Sequence, residues 1–398
     1  MPQRPERGSV LHHLVAEINL DAIAQNVQTL RSRMEPGCQM CVAIKGDAYG
    51  HGSEWVLPVL AQEGVEMVGV ATIAEAREAR RLGWKRAILL MGSELNGYMG
   101  PKKKEYSEWL VANHVSSTVS SLEDIGTLGT AAKKIGKNAM VHVMLDTGMT
   151  REGTYEEEAR KMIDSAHRNN WVQVEGLYTH FATADGADKS FAHEQFDRFD
   201  RFAKEIERQG VNIPLFHAAN SPAMIDVPHV HLNMVRPGVS VYGCHASHEM
   251  QERPDLRQAL RLKTVLSLIK KIPAGSLVGY GSTQRAEEST TIGVVPVGYA
   301  DGYDRRLSNC AVMRIGEQIV PVIGRVNMDQ TVLDLGPMIA KGINPTLGEE
   351  VVVIDDRPGA PNSIEAISRL LDTVPHEVMT ALHGRVHRVS VTQKSESR

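Results

Sequence analysis

The chain has 398 residues, 42% hydrophobic and 23% charged, with a formal net charge of −4. That length and composition suit two ordinary globular domains rather than one small core. The balanced charge excludes a basic field for nucleic acid, and no stretch approaches the ~20 apolar residues of a membrane-spanning helix.

The N-terminus reads MPQRPERGSVLHHLVAEINL. His12, His13 and Glu17 interrupt its apolar stretch, which argues against a secretory leader, and residues 1–13 are expected to form a flexible tail. From Cys41 to about Gly238, short apolar runs alternate with amphipathic stretches. The runs are CVAIK (41–45), MVGVAT (67–72), AILLMG (87–92), VSSTVS (115–120), AMVHVMLD (139–146), VQVEGLYTHF (172–181), PLFHAAN (214–220) and HLNMVRPG (231–238). Between them lie segments such as IAEAREARRLG and SLEDIGTLGTAAKKIG, and capping boxes are expected at Thr72–Glu75 and Ser120–Glu123. Strands separated by helices make parallel βαβ units. Periodicity alone fits an open doubly wound sheet as well, but eight strands is the number that closes a TIM barrel.

Past about residue 255 the pattern changes to strands joined by short turns: LKTVLSLIKKI, TTIGVVPVGYA, AVMRIGEQIVPVIGRV, TVLDLG and EEVVVIDD, with one helix, SIEAISRLLD. This predicts a mostly antiparallel β domain. The boundary is placed in HASHEMQERPDLRQ, giving an α/β barrel over 1–255 and a β domain over 256–398, with a frayed tail at QKSESR.

Cys38 and Cys41 form a C-x-x-C, but no second pair completes a zinc site, so both read as small buried hydrophobes. Four cysteines in so long a chain fit a reducing, cytoplasmic setting. The histidine pairs His229/His231, His245/His248 and His383/His387 lack the further ligands a metal needs, so no metal is expected.

In a (β/α)8 barrel the active site lies at the C-terminal ends of the strands. Lys45 stands there, as do Asp146 to Arg151, His180, Asn220 with Ser221, and Arg236 to Gly238. Each has a dull explanation alone: a strand-end cation reaches solvent, and a buried histidine satisfies a main-chain group. Together they suit a phosphate-bearing cofactor that needs an amine. An amine in a partly desolvated mouth can lose its proton and form a Schiff base, the way pyridoxal phosphate (PLP) is held. Gly46, Gly50 and Gly52 would let the backbone approach such a ligand, while Ser221 and the amides after Gly238 would cradle its phosphate.

VAIKGDAYGHG (42–52), VHVMLDTGMTREG, GLYTHFATAD, HAANSPAM, MVRPGVSVYG, VGYGSTQR, VGYADGYDRRLSN and VIGRVNMDQ follow one another in this sequence. In that order, over about residues 14–390, they resemble the motifs of the alanine racemase family, whose fold is a TIM barrel followed by a β domain. The resemblance implies that Lys45 carries PLP. Tyr49, Asn220, Ser221, Gly238, Val239 and Tyr299 match cofactor positions, mostly at the phosphate. His180 would lie beside the ring, Arg236 would face the pyridine nitrogen, and Arg151 would lie near the phenolic oxygen and the substrate. Tyr280 matches the second catalytic base, and Met328 the position whose N–H meets the substrate carboxylate. Both would come from a second subunit, making a homodimer with composite sites. Lys45 would then serve D-alanine and Tyr280 L-alanine, supplying D-alanine for peptidoglycan. Arg236, always charged, would oppose protonation of the ring and disfavour transamination; the alternative is a surface ion-pair partner.

Two positions depart from the family. A lysine, often carbamylated, is common where Met144 stands, and a tyrosine is common at the site entrance where Gly384 stands. The second departure raises broader specificity, serine included, as an alternative. A non-catalytic PLP-binding barrel would lack the β domain, and a PLP barrel decarboxylase would carry a cysteine motif not evident here.

Overall fold

The computed structural model describes residues 13–392. The expected N-terminal tail, apart from His13, and the C-terminal QKSESR lie outside the described residues. The chain divides into two compact units, Asp21–Arg257, and the residues up to Leu20 together with those from Gln258 on.

Strand β1 (Val15–Asn19) belongs to the second of these units, not to the barrel. The barrel strands are β2 (Gln39–Ala43), β3 (Met67–Val70), β4 (Ala87–Leu90), β5 (Val115–Val119), β6 (Ala139–Met144), β7 (Val172–Tyr178), β8 (Leu215–His217) and β9 (Met234–Val235). They form one parallel eight-stranded sheet in the order β8-β7-β6-β5-β4-β3-β2-β9. The ends meet: Asn220 bridges Arg236, the Arg236 N–H donates to the Ala219 carbonyl at 2.8 Å, and the Asn233 N–H donates to the Phe216 carbonyl at 3.0 Å. The sheet is thus a closed barrel, as the strand count predicts. Every residue of β3 and β5 is buried, as expected where helices cover a parallel sheet.

Helix Ile73–Arg81 starts on the expected Thr72–Glu75 capping box. The second start lies one residue later than predicted. Ser121, not Ser120, caps Leu122–Ile135, accepting from the Asp124 N–H, while the Asp124 carboxylate reaches back to the Ser120 N–H. Asp124 performs the back-bonding that the pattern assigned to Glu123. Cys41 packs with Met67, Leu89, Leu215 and Met234 from five barrel strands. Among the described residues no group of His, Cys, Asp and Glu is placed to hold a metal.

The other unit contains β10 (Leu260–Val265), β11 (Leu268–Ile272), β12 (Leu277–Val278), β13 (Gln284–Arg285), β14 (Thr290–Val295), β15 (Val312–Ile315), β16 (Gln318–Pro321), β17 (Thr331–Asp334), β18 (Glu350–Ile354) and β19 (His387–Val391). They make sheets ordered β16-β15-β18-β10-β1-β19, β11-β14-β17 and β12-β13. The pairing is antiparallel except for β1 with β19. LKTVLSLIKKI, read as one run, is divided at Leu266–Ser267 between two sheets. β1 buries Ala16 and Ile18 while Glu17 on its other face pairs with Lys263 and Arg261. That period-two pattern suits a sheet with one solvated face.

Candidate active site

Lys45 stands two residues past the end of β2, at the head of a turn of unusual hand. Gly46, Asp47, Ala48 and Tyr49 have φ of 63, 53, 55 and 54°. Left-handed backbone costs a non-glycine residue about 1–2 kcal/mol, so the surroundings must hold this turn. Glu75 Oε1 accepts from the Gly46 N–H (2.7 Å), and Asp47 Oδ1 accepts from the Ser53 N–H (2.7 Å). The Tyr49 ring stacks on Tyr242, centroids 5.0 Å apart. The turn therefore fixes two side chains at once: the Lys45 amine at the mouth, and the Tyr49 hydroxyl against Gly238, where a methyl would overlap it.

The Lys45 side chain reaches solvent, yet its amine has a lowered pKa. Partial desolvation is the largest cause and the Arg151 charge adds to it, while Glu75 and Glu152 oppose it. His180, just past β7, is pushed down to about 3 by burial and by the charges of Arg236, Arg151 and Lys45. It is a neutral imidazole at any physiological pH. Glu152→Gln should consequently lower the Lys45 pKa further, and Arg151→Met should raise it. The pH midpoint of Lys45 acylation by an amine-selective reagent, resolved by mass spectrometry, should move down and up respectively; movement in the opposite senses would contradict this electrostatic account.

Arg236 follows β9 directly and is only 4% exposed. The surface ion-pair alternative is therefore wrong. Its Nη2 donates to the carbonyls of Thr179 (2.7 Å) and Ala218 (3.0 Å), and it sits over the Tyr178 ring, 5.1 Å from the centroid. Its Nη1 lies 2.7 Å from His217 Nδ1. Guanidinium has no acceptor, so His217 Nδ1 must be bare and its proton must sit on Nε2. That proton points at His142 Nδ1 (2.9 Å), whose own Nε2 proton points at Glu175 (3.1 Å). Burial, then the Arg236 charge, holds His217 well below its ordinary pKa. Burial would raise Glu175, but hydrogen bonds from His142 and Ser116 bring it below its ordinary value. Arg236 is thus anchored by a directional chain of two imidazoles ending on a carboxylate.

Ser221 opens the helix Ser221–Asp226, whose cap is the Asn220 side chain accepting from the Ala223 N–H (3.1 Å). The Ser221 hydroxyl accepts from the Gly238 N–H (2.8 Å) and, at 3.5 Å, from the Ser240 N–H, so its own proton remains available. Val239 is buried beside it, and the Ser240 hydroxyl is buried without a hydrogen-bond partner. The barrel thus brings Lys45, Tyr49, His180, Asn220, Ser221, Arg236, Gly238 and Val239 to one mouth, with Arg151 on the loop after β6.

The remaining expected residues lie in the β unit. Tyr280 is 73% exposed on a short turn between β12 and β13. Tyr299 and Met328 are also exposed, on turns tied together: the Tyr299 N–H donates to the Asn327 carbonyl and the Ala300 N–H to the Met328 carbonyl, both at 3.0 Å.

Residues 18–246 match the family description "Alanine racemase, N-terminal domain", and residues 259–390 match "Alanine racemase, C-terminal domain". The chain belongs to the alanine racemase family. It is 38% identical over 386 residues to an alanine racemase of Desulfosudis oleivorans, covering 94% of this chain and 95% of the relative. It is 36% identical over 382 residues to one of Methanococcus maripaludis, covering 96% and 99%. The structure of the Clostridium difficile 630 alanine racemase superposes with a TM-score of 0.87 at 33% identity, over 97% of each chain. That of the Bartonella henselae enzyme, described with covalently bound pyridoxal phosphate, superposes at 0.82 with 25% identity, over 95% and 99%.

At the first departure from the alanine racemase pattern, Met144 is buried under the loop that carries Arg151. Its carbonyl accepts from the Thr154 N–H (3.0 Å), and its side chain lies beneath Gly153. The loop is shaped instead by Asp146, whose Oδ1 accepts from the N–H groups of Gly148 (3.0 Å) and Thr150 (3.1 Å). Sequence reading missed Glu75 as a support of the lysine turn, Glu152 as a charge near it, and the His217–His142–Glu175 chain. Glu75 was visible only as a capping residue; its second oxygen had no signal.

Proposed function

We propose that the protein interconverts L- and D-alanine with PLP carried on Lys45, supplying D-alanine for peptidoglycan. The observation that carries this reading is the convergence of the partly desolvated Lys45 amine, buried Arg236 and the Ser221–Gly238 turn at one barrel mouth. The residues fit the cofactor. A methyl at Gly238 would fill the space before Tyr49, and the buried Ser240 hydroxyl and the Ser221 proton are free to meet phosphate oxygens. Asn220 and Val239 shape the same turn, and Tyr299 would add a hydroxyl.

When bound, PLP supplies an electron-withdrawing ring that acidifies the α-carbon of an attached amino acid. The protein's residues decide where the proton goes. Lys45, with its lowered pKa, takes or returns it on one face. Tyr280 does so on the other, so neither base has to change sides. Arg236, a permanent cation fixed by His217 and two carbonyls, opposes a proton on the ring nitrogen. Neutral His180 would lie beside the ring without adding charge. Arg151 and the Met328 N–H would receive anionic oxygens of cofactor and substrate. Tyr280 and Met328 would serve the site of a second subunit; their exposure supports a homodimer with composite sites. All four cysteines are free thiols and no described helix is long and apolar enough to cross a membrane, which fits the cytoplasm.

Optical rotation of L- and D-alanine should decay with purified protein and added PLP. Stable rotation, with release of CO2 from lysine, arginine or diaminopimelate, would favour the decarboxylase alternative.

Breadth of substrate is the second reading, favoured by Gly384. It is exposed, and a side chain there would meet open space. An added methylene costs only ~1–3 kcal/mol even in a closed pocket, so an entrance without bulk should admit serine. Gly384→Tyr is expected to reduce serine turnover roughly tenfold while sparing alanine. Wild-type protein that already rejects serine would show that another residue fills the entrance.

A further inference from the structure

The β unit carries a cation that the reading above does not use. Arg385, next to Gly384, spans two carboxylates: its Nε donates to Asp301 Oδ1 (2.9 Å) and its Nη1 to Asp329 Oδ1 (2.8 Å). Asp301 closes the turn begun by Tyr299 and is 4% exposed; its other oxygen accepts from the Gly298 N–H (2.9 Å). Asp329 is the neighbour of Met328. The two turns lie in direct main-chain contact, since a methyl at Gly298 would overlap the carbonyls of Asn327 and Met328. The C-terminal segment joins them, with the His383 N–H donating to the Asp301 carbonyl at 3.3 Å.

We infer that Arg385 is a positioning residue: it locks the Tyr299 turn to the Met328 loop and offsets half of the negative charge of the two carboxylates beside them. The inference rests on the proposed roles of Tyr299 and Met328. Those roles put a phosphate at one turn and a substrate carboxylate at the other, with an aspartate two residues after Tyr299 and another directly after Met328. Without Arg385, Asp301 and Asp329 would repel both anions. The geometry calls for a guanidinium, because donors on two edges of one rigid plane reach two separate carboxylates, whereas an ammonium is a single point charge. Arg385 itself touches neither ligand in this account. Its loss acts on binding of anionic groups, not on the proton transfers of Lys45 and Tyr280.

The test uses full-length protein reconstituted with PLP. Arg385→Met should raise KM for alanine roughly 3–10-fold and speed PLP loss on dilution, with kcat within about twofold, the scale of a half-exposed ion-pair network. Arg385→Lys should fall between wild type and Arg385→Met. Adding Asp329→Asn to Arg385→Met should recover part of the lost affinity, because the uncompensated carboxylate is gone. Raising ionic strength should shrink the defect of Arg385→Met by screening. Unchanged KM in both Arg385 variants, a fall in kcat alone, or a further loss of affinity in the double variant would each overturn the inference. An inactive wild type would instead sink the proposed function, so the two failures are distinguishable.

Discussion

Lys45→Ala should lose alanine racemisation in both directions by at least about 10^4-fold, since one substitution removes both the covalent anchor and one proton-transfer base. Part of the PLP should stay bound, because Tyr49, Ser221 and Gly238 meet across the barrel mouth without any contribution from the lysine. The wild-type protein should be yellow, and borohydride should fix the cofactor on one peptide, the one holding Lys45. A reduced adduct on another lysine would end the mechanism. So would Lys45→Ala protein that still exchanges the α-proton of D-alanine with solvent at the wild-type rate. Loss of fold is not expected. The turn is held by Glu75, Asp47 and the Tyr49–Tyr242 stack, and none of these uses the lysine side chain.

The barrel was legible because its strands are buried on both faces and separated by helices, so each reads as an apolar run. The residues at their ends, Lys45, His180, Ser221 and Arg236, were legible because a closed barrel sends all eight C-terminal ends to one rim. β1 was not placed by the same logic. A five-residue strand followed at once by a helix reads like a barrel strand, and only its pairing with β10 and β19 assigns it elsewhere. The charges around Lys45 were hidden for a related reason. Glu75 lies 30 positions along the chain, after the neighbouring strand β3, and Glu152 more than 100, after β6 four strands away, and their proximity to Lys45 comes from closure of the barrel rather than from any spacing. His142, His217 and Glu175 sit within strands, where alternation marks them only as polar residues facing inward. Arg385 reaches back 84 positions to Asp301, and an arginine in a short polar segment gives no sign of spanning two carboxylates. What pattern conveys is which element a residue ends; what it omits is which side chains from different elements meet.

Tyr280→Phe should act on one hand of the substrate. Removing the hydroxyl leaves the ring, and with it the packing, but removes the group that moves a proton on the face opposite Lys45. Solvent deuterium entry into L-alanine should fall by about 10^2–10^4-fold, the range for loss of a positioned general base, while exchange from D-alanine, which relies on Lys45, should fall far less. A small, equal loss for both isomers would mean that Tyr280 only packs. The exposure of Tyr280, 73%, on a turn between two short strands makes a second subunit its expected partner. Mixing Lys45→Ala with Tyr280→Phe subunits tests this directly. In a heterodimer with composite sites, one of the two sites combines an intact Lys45 with an intact Tyr280, so activity should return to as much as about half the wild-type value per dimer. The other site carries both lesions and stays silent. If each site were instead built from one chain, every site in the mixture would lack one base, and a verified heterodimer would remain inactive. Recovery that appears only when the two proteins are mixed, and in proportion to the heterodimer formed, is therefore the outcome that ties Lys45 of one protomer to Tyr280 of its partner.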